Sequence, residues 1–471
     1  MARPSAKARL QEIERYREQV LSQPLAKGIS SDEVRDYLAT LPPGRYPKAA
    51  YSKPRSAPLT QPRGGFPSFE AQYRLTQELD AAGADFIPLT IDSCTRHNQY
   101  KTAEQLLRRS ENEGKNYLNG YPLVSHGYAL TRELYSGLNK PVSLRHGTPD
   151  ARLLVEVAIA SGIVEIEGGG ICYCFPYSEG FPLDRSLLYW QYVDRLCAVN
   201  STEDAPIHRE SFGPLSATLV PPAIVVAIEI IEALLAAEQG VTSFAVSFGQ
   251  TGSVVQDIAT AYILKTLTRE YLQMFGFESM RTYLVYHQWM GRFPPQRVKA
   301  AALIAGSSVI ASIISADKIV VKTVDEALGI PDPWINADAV DMVKYIFRTF
   351  RCPEPLTSPL IEPEIALIES ETRSILQTIF SMPGDVFWHS VLQAFQSGFV
   401  DIPFSPHADN ANKLISMRDG NGSIRICDRG NVPICDGDAE QERVLLQSRP
   451  ASNADSEQMY ERLLSDINIM V

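Results

Sequence analysis

No stretch of this chain is long and apolar enough to look like a membrane span. The most hydrophobic run, 300–316, contains Gly306 and four serines and is about one turn too short. A buried helix of a soluble protein is the expectation there. Residues 1–16 are charged and lack an apolar centre, so no signal peptide is expected. Cysteine is sparse: seven in 471 residues, odd in number and scattered. That argues against a disulfide framework and points to a reducing, cytoplasmic setting. Cys172 and Cys174 flank Tyr173 at a spacing unsuited to a zinc knuckle, and HExxH, GxSxG and paired CxxC motifs are missing. No metal site is therefore read from the sequence, and these two cysteines are expected to be small buried hydrophobes. Surplus positive charge is missing too, and a net charge of −11 argues against nucleic acid as a partner. No internal repeat is found. The one biased segment, 42–62, carries six prolines and reads as a linker or a surface arm.

What the chain does have is alternation. Short apolar runs that read as strands fall at 85–91, 122–124, 141–144, 163–166, 217–220, 243–248, 283–286 and 318–321, with one more extended segment before Arg63. Helical periods lie between most of them, at 70–82, 151–160, 185–197 and 222–240. The last opens on Pro222 and stops at Gly240. Upstream, 7–21 reads as a polar helix, and Ser30-Ser31-Asp32-Glu33 as a capping box opening a second one. An open doubly wound sheet shows the same alternation. Here, however, polar residues follow many different strands, which suits a barrel mouth better than a single crevice. The expected fold is α/β, a (β/α)8 TIM-type barrel with an N-terminal helical arm and a C-terminal extension. Its parts are 1–60 (helices and proline-rich arm), 61–400 (barrel with trailing helices) and 401–471 (loop-rich and helical extension).

Three arginines stand at mouth-like positions: Arg63 in Gln61-Pro62-Arg63-Gly64-Gly65, Arg96 after Thr90-Ile91-Asp92, and Arg145 in Leu144-Arg145-His146-Gly147. A guanidinium presents a planar fork of donors that fits a carboxylate two bonds at a time, so three forks at one mouth would clamp a small dianion. Thr148 is expected to cap a helix with Pro149 at its first position, which would place Arg145 beside a helix N-terminus. Glu167 ends the next strand before three glycines, with Tyr173 and Tyr177 close behind; it reads as a general base or a holder of an ammonium group. Lys322 ends the last strand, and Glu326 is expected to open the following helix; the two could hold ribose hydroxyls. Each residue has a structural reading as well: an exposed arginine at 63, Arg96 paired with Asp92, a packed His146, Glu167 partnering an arginine, and a simple Lys322–Glu326 pair four residues apart. The loop 249–253 lacks the lysine of a phosphate-binding loop and is a weak cofactor signal.

Several of these stretches, in this order, resemble the large (epsilon) subunit of glutamate mutase, also called methylaspartate mutase, an adenosylcobalamin-dependent isomerase. The markers are Gln61-Pro62-Arg63-Gly64, Thr95-Arg96-His97-Asn98, Arg145-His146-Gly147-Thr148-Pro149-Asp150, Glu167-Gly168-Gly169-Gly170, Phe212-Gly213-Pro214-Leu215, His287-Gln288-Trp289-Met290-Gly291 and Lys322-Thr323. The resemblance implies a (β/α)8 barrel interconverting L-glutamate and 3-methylaspartate by a radical mechanism. It implies substrate binding by Arg63, Arg96, Arg145, Tyr173 and Tyr177, a catalytic role near the amino group for Glu167, and adenosylcobalamin contacts from Lys322, Glu326, Gly65 and Asn119. The family's cobalt-ligating Asp-x-His-x-x-Gly motif is absent here. A separate small (sigma) subunit is therefore implied, with a homodimer of the large subunit inside a heterotetramer. Two alternatives stay open at this point: a mutase for another amino dicarboxylate, and a non-catalytic barrel kept as an assembly partner.

Overall fold

A computed structural model describes residues 10–350, 352, 356, 358–384, 386–449 and 456–471. Eight parallel strands form its centre: β1 (Leu59–Pro62), β2 (Ile87–Thr90), β3 (Val142–Arg145), β4 (Glu165–Glu167), β5 (His208–Glu210), β6 (Ser243–Gly249), β7 (Arg281–His287) and β8 (Lys318–Val321). Neighbours pair in order from β2 round to β8, and β8 pairs with β1 in register from Leu59 opposite Lys318 to Pro62 opposite Val321. The β1–β2 seam is joined by looser bonds: the amides of Asp85 and Phe86 reach Thr60 O at 3.1 Å, and Thr90 N reaches Gly64 O at 2.9 Å. Helices such as Phe69–Ala81, Pro222–Gln239, Val254–Met274 and Arg297–Ile313 surround this barrel.

The two-residue period of a strand sorts its side chains between two environments. Outward residues such as Leu144, Ile166, Phe244, Val246, Leu284, Tyr286 and Ile319 join one large core with the helices. Inside the barrel the apolar packing is slight, with Ala245, Val285 and Val320 against Tyr283. The rest of the lumen is polar. Lys318 is fully buried and bonds Gln61, Glu165 and Glu210. A buried ammonium is tolerated only when its donors are met in this way. Helix Pro222–Gln239 is buried along its whole length, which explains why apolar residues fill all its faces apart from Glu229, Glu232, Glu238 and Gln239.

Several expectations need correction. Residues 217–220 are not a strand. They lie in a loop where Leu215, Ala217 and Leu219 take positive φ (51°, 55° and 48°), and the fifth strand is the polar triplet His208-Arg209-Glu210. Residues 122–124 open helix Leu123–Leu134, and only a bridge between Ile91 and Tyr121 is sheet-like there. The helix after Arg145 starts at Arg152 with Ala151 as its cap, so Thr148 and Pro149 do not open it. Thr148 instead donates its amide to His146 Nδ1 at 3.2 Å. Glu326 lies in a turn, and the next helix is Pro333–Thr349.

The proline-rich arm is not superficial. Arg45 is buried and donates to Tyr135 O (3.2 Å) and Gly162 O (2.8 Å). Tyr51 stacks on Tyr283 at 4.0 Å and closes the barrel bottom. Ser30 caps the second helix, its Oγ accepting from Glu33 N at 3.3 Å, but the capping box is not completed because the Glu33 carboxylate bonds Arg132. The helix read from residue 7 runs from Leu10, and 7–9 lie outside the described residues. In the extension, β9 (Ile415–Arg418) and β10 (Ile424–Asp428) make a hairpin. Among the described residues, no helix is long and apolar enough to cross a membrane.

Candidate active site

The C-terminal ends of the strands deliver the singled-out residues to one mouth. Arg63 follows β1, Arg145 ends β3, Glu167 ends β4 and Lys322 follows β8. Arg96 closes a single helical turn, Ser93–Arg96, that Asp92 caps by accepting from Thr95 N at 3.0 Å. Asp92 is thus occupied as a cap and does not pair with Arg96. Arg96 Nε instead donates to Ile91 O at 2.6 Å. Arg63, Arg96, Gly65, Asn119 and Glu326 line one cleft of about 200 Å³, together with Thr90 and the rim 329–331. Arg145, Glu167 and Tyr173 lie deeper and are buried, whereas Tyr177 stands at the rim, 38% exposed. The two tyrosine rings meet edge-on, 5.5 Å apart.

Each of the three arginines is anchored at one end. Arg63 Nη1 bonds Glu326 at 2.8 Å, Arg96 is held through its Nε, and Arg145 Nη2 bonds Glu167 Oε1 at 2.7 Å. Anchoring fixes the direction of the remaining donors, which is what a preorganised anion site needs. Arg145 Nη1 is buried without a hydrogen bond, its nearest acceptor being Glu210 Oε1 at 3.7 Å. Glu167 Oε2 is likewise buried and unbonded. A donor lacking an acceptor and an acceptor lacking a donor thus sit on one buried ion pair. Each costs about 1–3 kcal/mol while unmet, so the site favours a ligand that carries both an anion and a donor.

The electrostatics are those of one connected cluster. The Tyr177 hydroxyl is raised by the burial of its inner end and by Glu167, and Arg63, Arg96 and Arg145 oppose the rise. Burial lowers Arg96, partly offset by Tyr177 and Tyr173, while Arg63 lowers it further. Burial pushes Glu167 well above the usual carboxylate range; Arg145 offsets part of this and Glu210 adds to it. Buried behind the cleft beside Glu326, Lys322 is brought down to about 7 by burial and then by Arg63, although Glu326 pairs with it. Burial pushes Glu326 up, but Arg63 and Lys322 outweigh it and hold the carboxyl below its ordinary value.

The sequence did not point to Glu210, Lys318 or Arg209, and it marked His287 only as part of a motif. His287 is fully buried, has neither ring nitrogen bonded, and packs edge-on against Phe212 at 5.4 Å. Three polar residues in a row at 208–210 hid a strand, because a polar lumen reverses the usual inward pattern. The 249–253 loop is closed on itself, with Asp257 Oδ1 accepting from Thr251 N and Thr251 Oγ1 at 2.8 Å each. Cys172 and Cys174 are buried, as read.

A family profile described as methylaspartate mutase E chain matches residues 46–471. The chain is 38% identical over 442 residues to the glutamate mutase epsilon subunit of Treponema denticola, covering 93% of this chain and 91% of that one. It is 37% identical over 457 residues to the protein of that name from Desulfitobacterium hafniense (95% and 94% covered). It is 41% identical over 377 residues to that from Escherichia coli O157:H7 (80% and 78% covered). Neither alternative left open by the sequence is favoured by these matches. The chain belongs to the methylaspartate mutase E chain family, whose members include the glutamate mutase epsilon subunits.

Proposed function

We propose that this chain is the large, catalytic subunit of an adenosylcobalamin-dependent isomerase that interconverts L-glutamate and 3-methylaspartate. The observation that carries the substrate reading is the pair of unmet groups on one buried ion pair: Arg145 Nη1, which needs an acceptor, and Glu167 Oε2, which needs a donor. An amino acid supplies a carboxylate to the first and an ammonium to the second. Arg63 and Arg96, at the neighbouring cleft, supply the forks for a second carboxylate. A dicarboxylic amino acid therefore uses every group assembled here.

Three features of the cleft fit adenosylcobalamin. Gly65 packs flat against β2, where a Cβ would lie 2.1 Å from Thr90 O, so the cleft wall stays bare backbone. Asn119 uses its Oδ1 to accept from Ser93 N at 2.8 Å, which leaves its amide donors for a ligand. Lys322 and Glu326 offer a donor and an acceptor side by side, as vicinal hydroxyls require. Once bound, the cofactor supplies the radical that takes a hydrogen atom from the substrate. The chain's own residues grip, orient and screen. If the carbon skeleton parts during rearrangement, arginines on separate strands keep a hold on each charged fragment. Glu167 holds the proton of the amino group at Oε2 while the skeleton moves. A cobalt-ligating histidine motif is absent from the chain, so a small cobalamin-binding subunit is the proposed partner, in a heterotetramer built on a dimer of this chain.

The test is reconstitution. Mixed with a cognate small subunit, adenosylcobalamin and glutamate, the chain should form 3-methylaspartate. A complex that assembles and binds cofactor but turns over neither amino acid refutes the reading.

A further inference from the structure

Glu167 can act on an amino group only if its backbone is held, and the strand ends there. Past Glu167 the chain turns at Gly168, with φ of 119°, and the ladder closes on Gly168 N donating to Glu210 O at 2.7 Å. One side chain grips both flanks of this joint. Arg209, on the outward face of β5 and 1% exposed, donates from Nη1 to Ile166 O at 2.6 Å and from Nη2 to Gly168 O at 2.8 Å. Those are the carbonyls of the residues before and after Glu167. Its third edge is fixed, since Nε donates to Asp194 Oδ1 at 2.7 Å. The guanidinium also lies over Trp190, 4.7 Å from the ring centroid. Trp190 in turn stacks on His146 and would meet a Cβ at Gly168 within 2.5 Å. From the far side Glu232 Oε1 accepts from Ile171 N (2.8 Å) and Cys172 N (3.0 Å), which holds the next turn.

We infer that Arg209 is a positioning residue for Glu167: its planar fork spans the two carbonyls that bracket Glu167 and sets where that carboxylate stands in the mouth. The inference rests on the role proposed for Glu167. Arg209 touches neither the cleft nor its three arginines. A lysine keeps the charge facing Asp194 but cannot span two carbonyls and a carboxylate at once.

The test compares Arg209→Lys with Asp194→Asn in the reconstituted complex, with thermal unfolding measured for both. Asp194→Asn removes the charge opposite Arg209 but keeps an Oδ1 to accept from its Nε, so the fork stays on the carbonyls, whereas Arg209→Lys keeps a charge facing Asp194 and removes the fork. Arg209→Lys should lower kcat about tenfold or more while KM for glutamate moves less than about threefold, because a misplacement of an ångström at the reacting groups is felt in turnover. Asp194→Asn should keep kcat within about threefold of wild type even where its melting temperature falls. An Arg209→Lys complex with wild-type kcat overturns the inference, and so does an equal loss of kcat in both variants. Should Arg209→Lys fail to fold, a folded Asp194→Asn complex with a large fall in kcat overturns it by itself. A wild-type complex without activity refutes the proposed function instead, so the two failures are distinct.

Discussion

Arg145 is the residue on which most of the mouth converges. It is buried, bonds Glu167, and carries one unmet donor at Nη1. A lysine there gives a point charge in place of a fork, so it cannot serve Glu167 and a substrate carboxylate together. In Arg145→Lys a substrate carboxylate is left under-paired in a closed site, at a cost of about 3 kcal/mol, roughly a hundredfold in kcat/KM. Steady-state kinetics on the complex check this, and near-wild-type values would remove the arginine clamp from the argument. Glu167 gives a pH signature. Burial first, opposed by Arg145, raises its pKa in the folded chain. Activity that needs the carboxylate should therefore rise as pH passes from the ordinary carboxylate range toward neutrality, and Glu167→Gln should flatten that limb. Stability runs the other way. In that window the folded chain holds a proton that the unfolded chain has released, so this group's contribution is present at low pH and is lost as pH rises through the folded pKa. Denaturant melts of wild type and Glu167→Gln across the same pH range read it.

At the scale of elements, the β4 terminus shows how tightly the mouth is built. A Cβ at Gly168 would lie 2.3 Å from Tyr173 and 2.5 Å from Trp190, on a backbone with φ of 119°. Gly168→Ala should cost about 1–3 kcal/mol from backbone strain alone and displace Tyr173 as well. A drop in melting temperature with a rise in KM is expected, and an unchanged KM would show the ring to be free to move. The legibility of the elements follows the same physics. Strands 243–248 and 318–321 and helix 222–240 were readable, since outward apolar residues and a proline start mark them whatever the lumen holds. β5 was not, because His208 and Glu210 face a polar lumen and Arg209 faces Asp194, leaving no apolar side to detect. The run at 217–220 misled because its apolar residues pack in a loop held at positive φ. In the mouth, Arg63, Arg145, Glu167 and Lys322 were legible as polar residues at or just past strand ends, and Arg96 as one a short turn further on. Lys318 was not, because its partners Glu165 and Glu210 come from distant strands.

Across the whole molecule, the extension reaches back to the loop that carries Tyr173 and Tyr177. Ser405 Oγ donates to Phe175 O at 2.9 Å, and Ala408 N to Glu179 O at 2.9 Å. His407 Nε2 lies 2.7 Å from Phe181 O and 3.2 Å from Cys174 Sγ. The extension is itself fixed to the barrel's helices by Arg425 of β10. That guanidinium bonds both oxygens of Glu364, on helix Ile361–Ser381, at 3.0 and 2.6 Å, and reaches Asp419 at 2.8 Å. All three groups are buried, so Arg425→Met strands two carboxylates without a counter-charge, at a cost of about 3–5 kcal/mol. The loss should not stay local. With the hairpin loosened, 405–408 loses its footing and the tyrosine loop loses its outer support. Hydrogen exchange should therefore quicken at 171–181 in Arg425→Met, far from the substitution, and KM for glutamate should rise with it. Faster exchange confined to 415–428, with 171–181 as protected as in wild type, would show that the extension and the tyrosine loop fold independently.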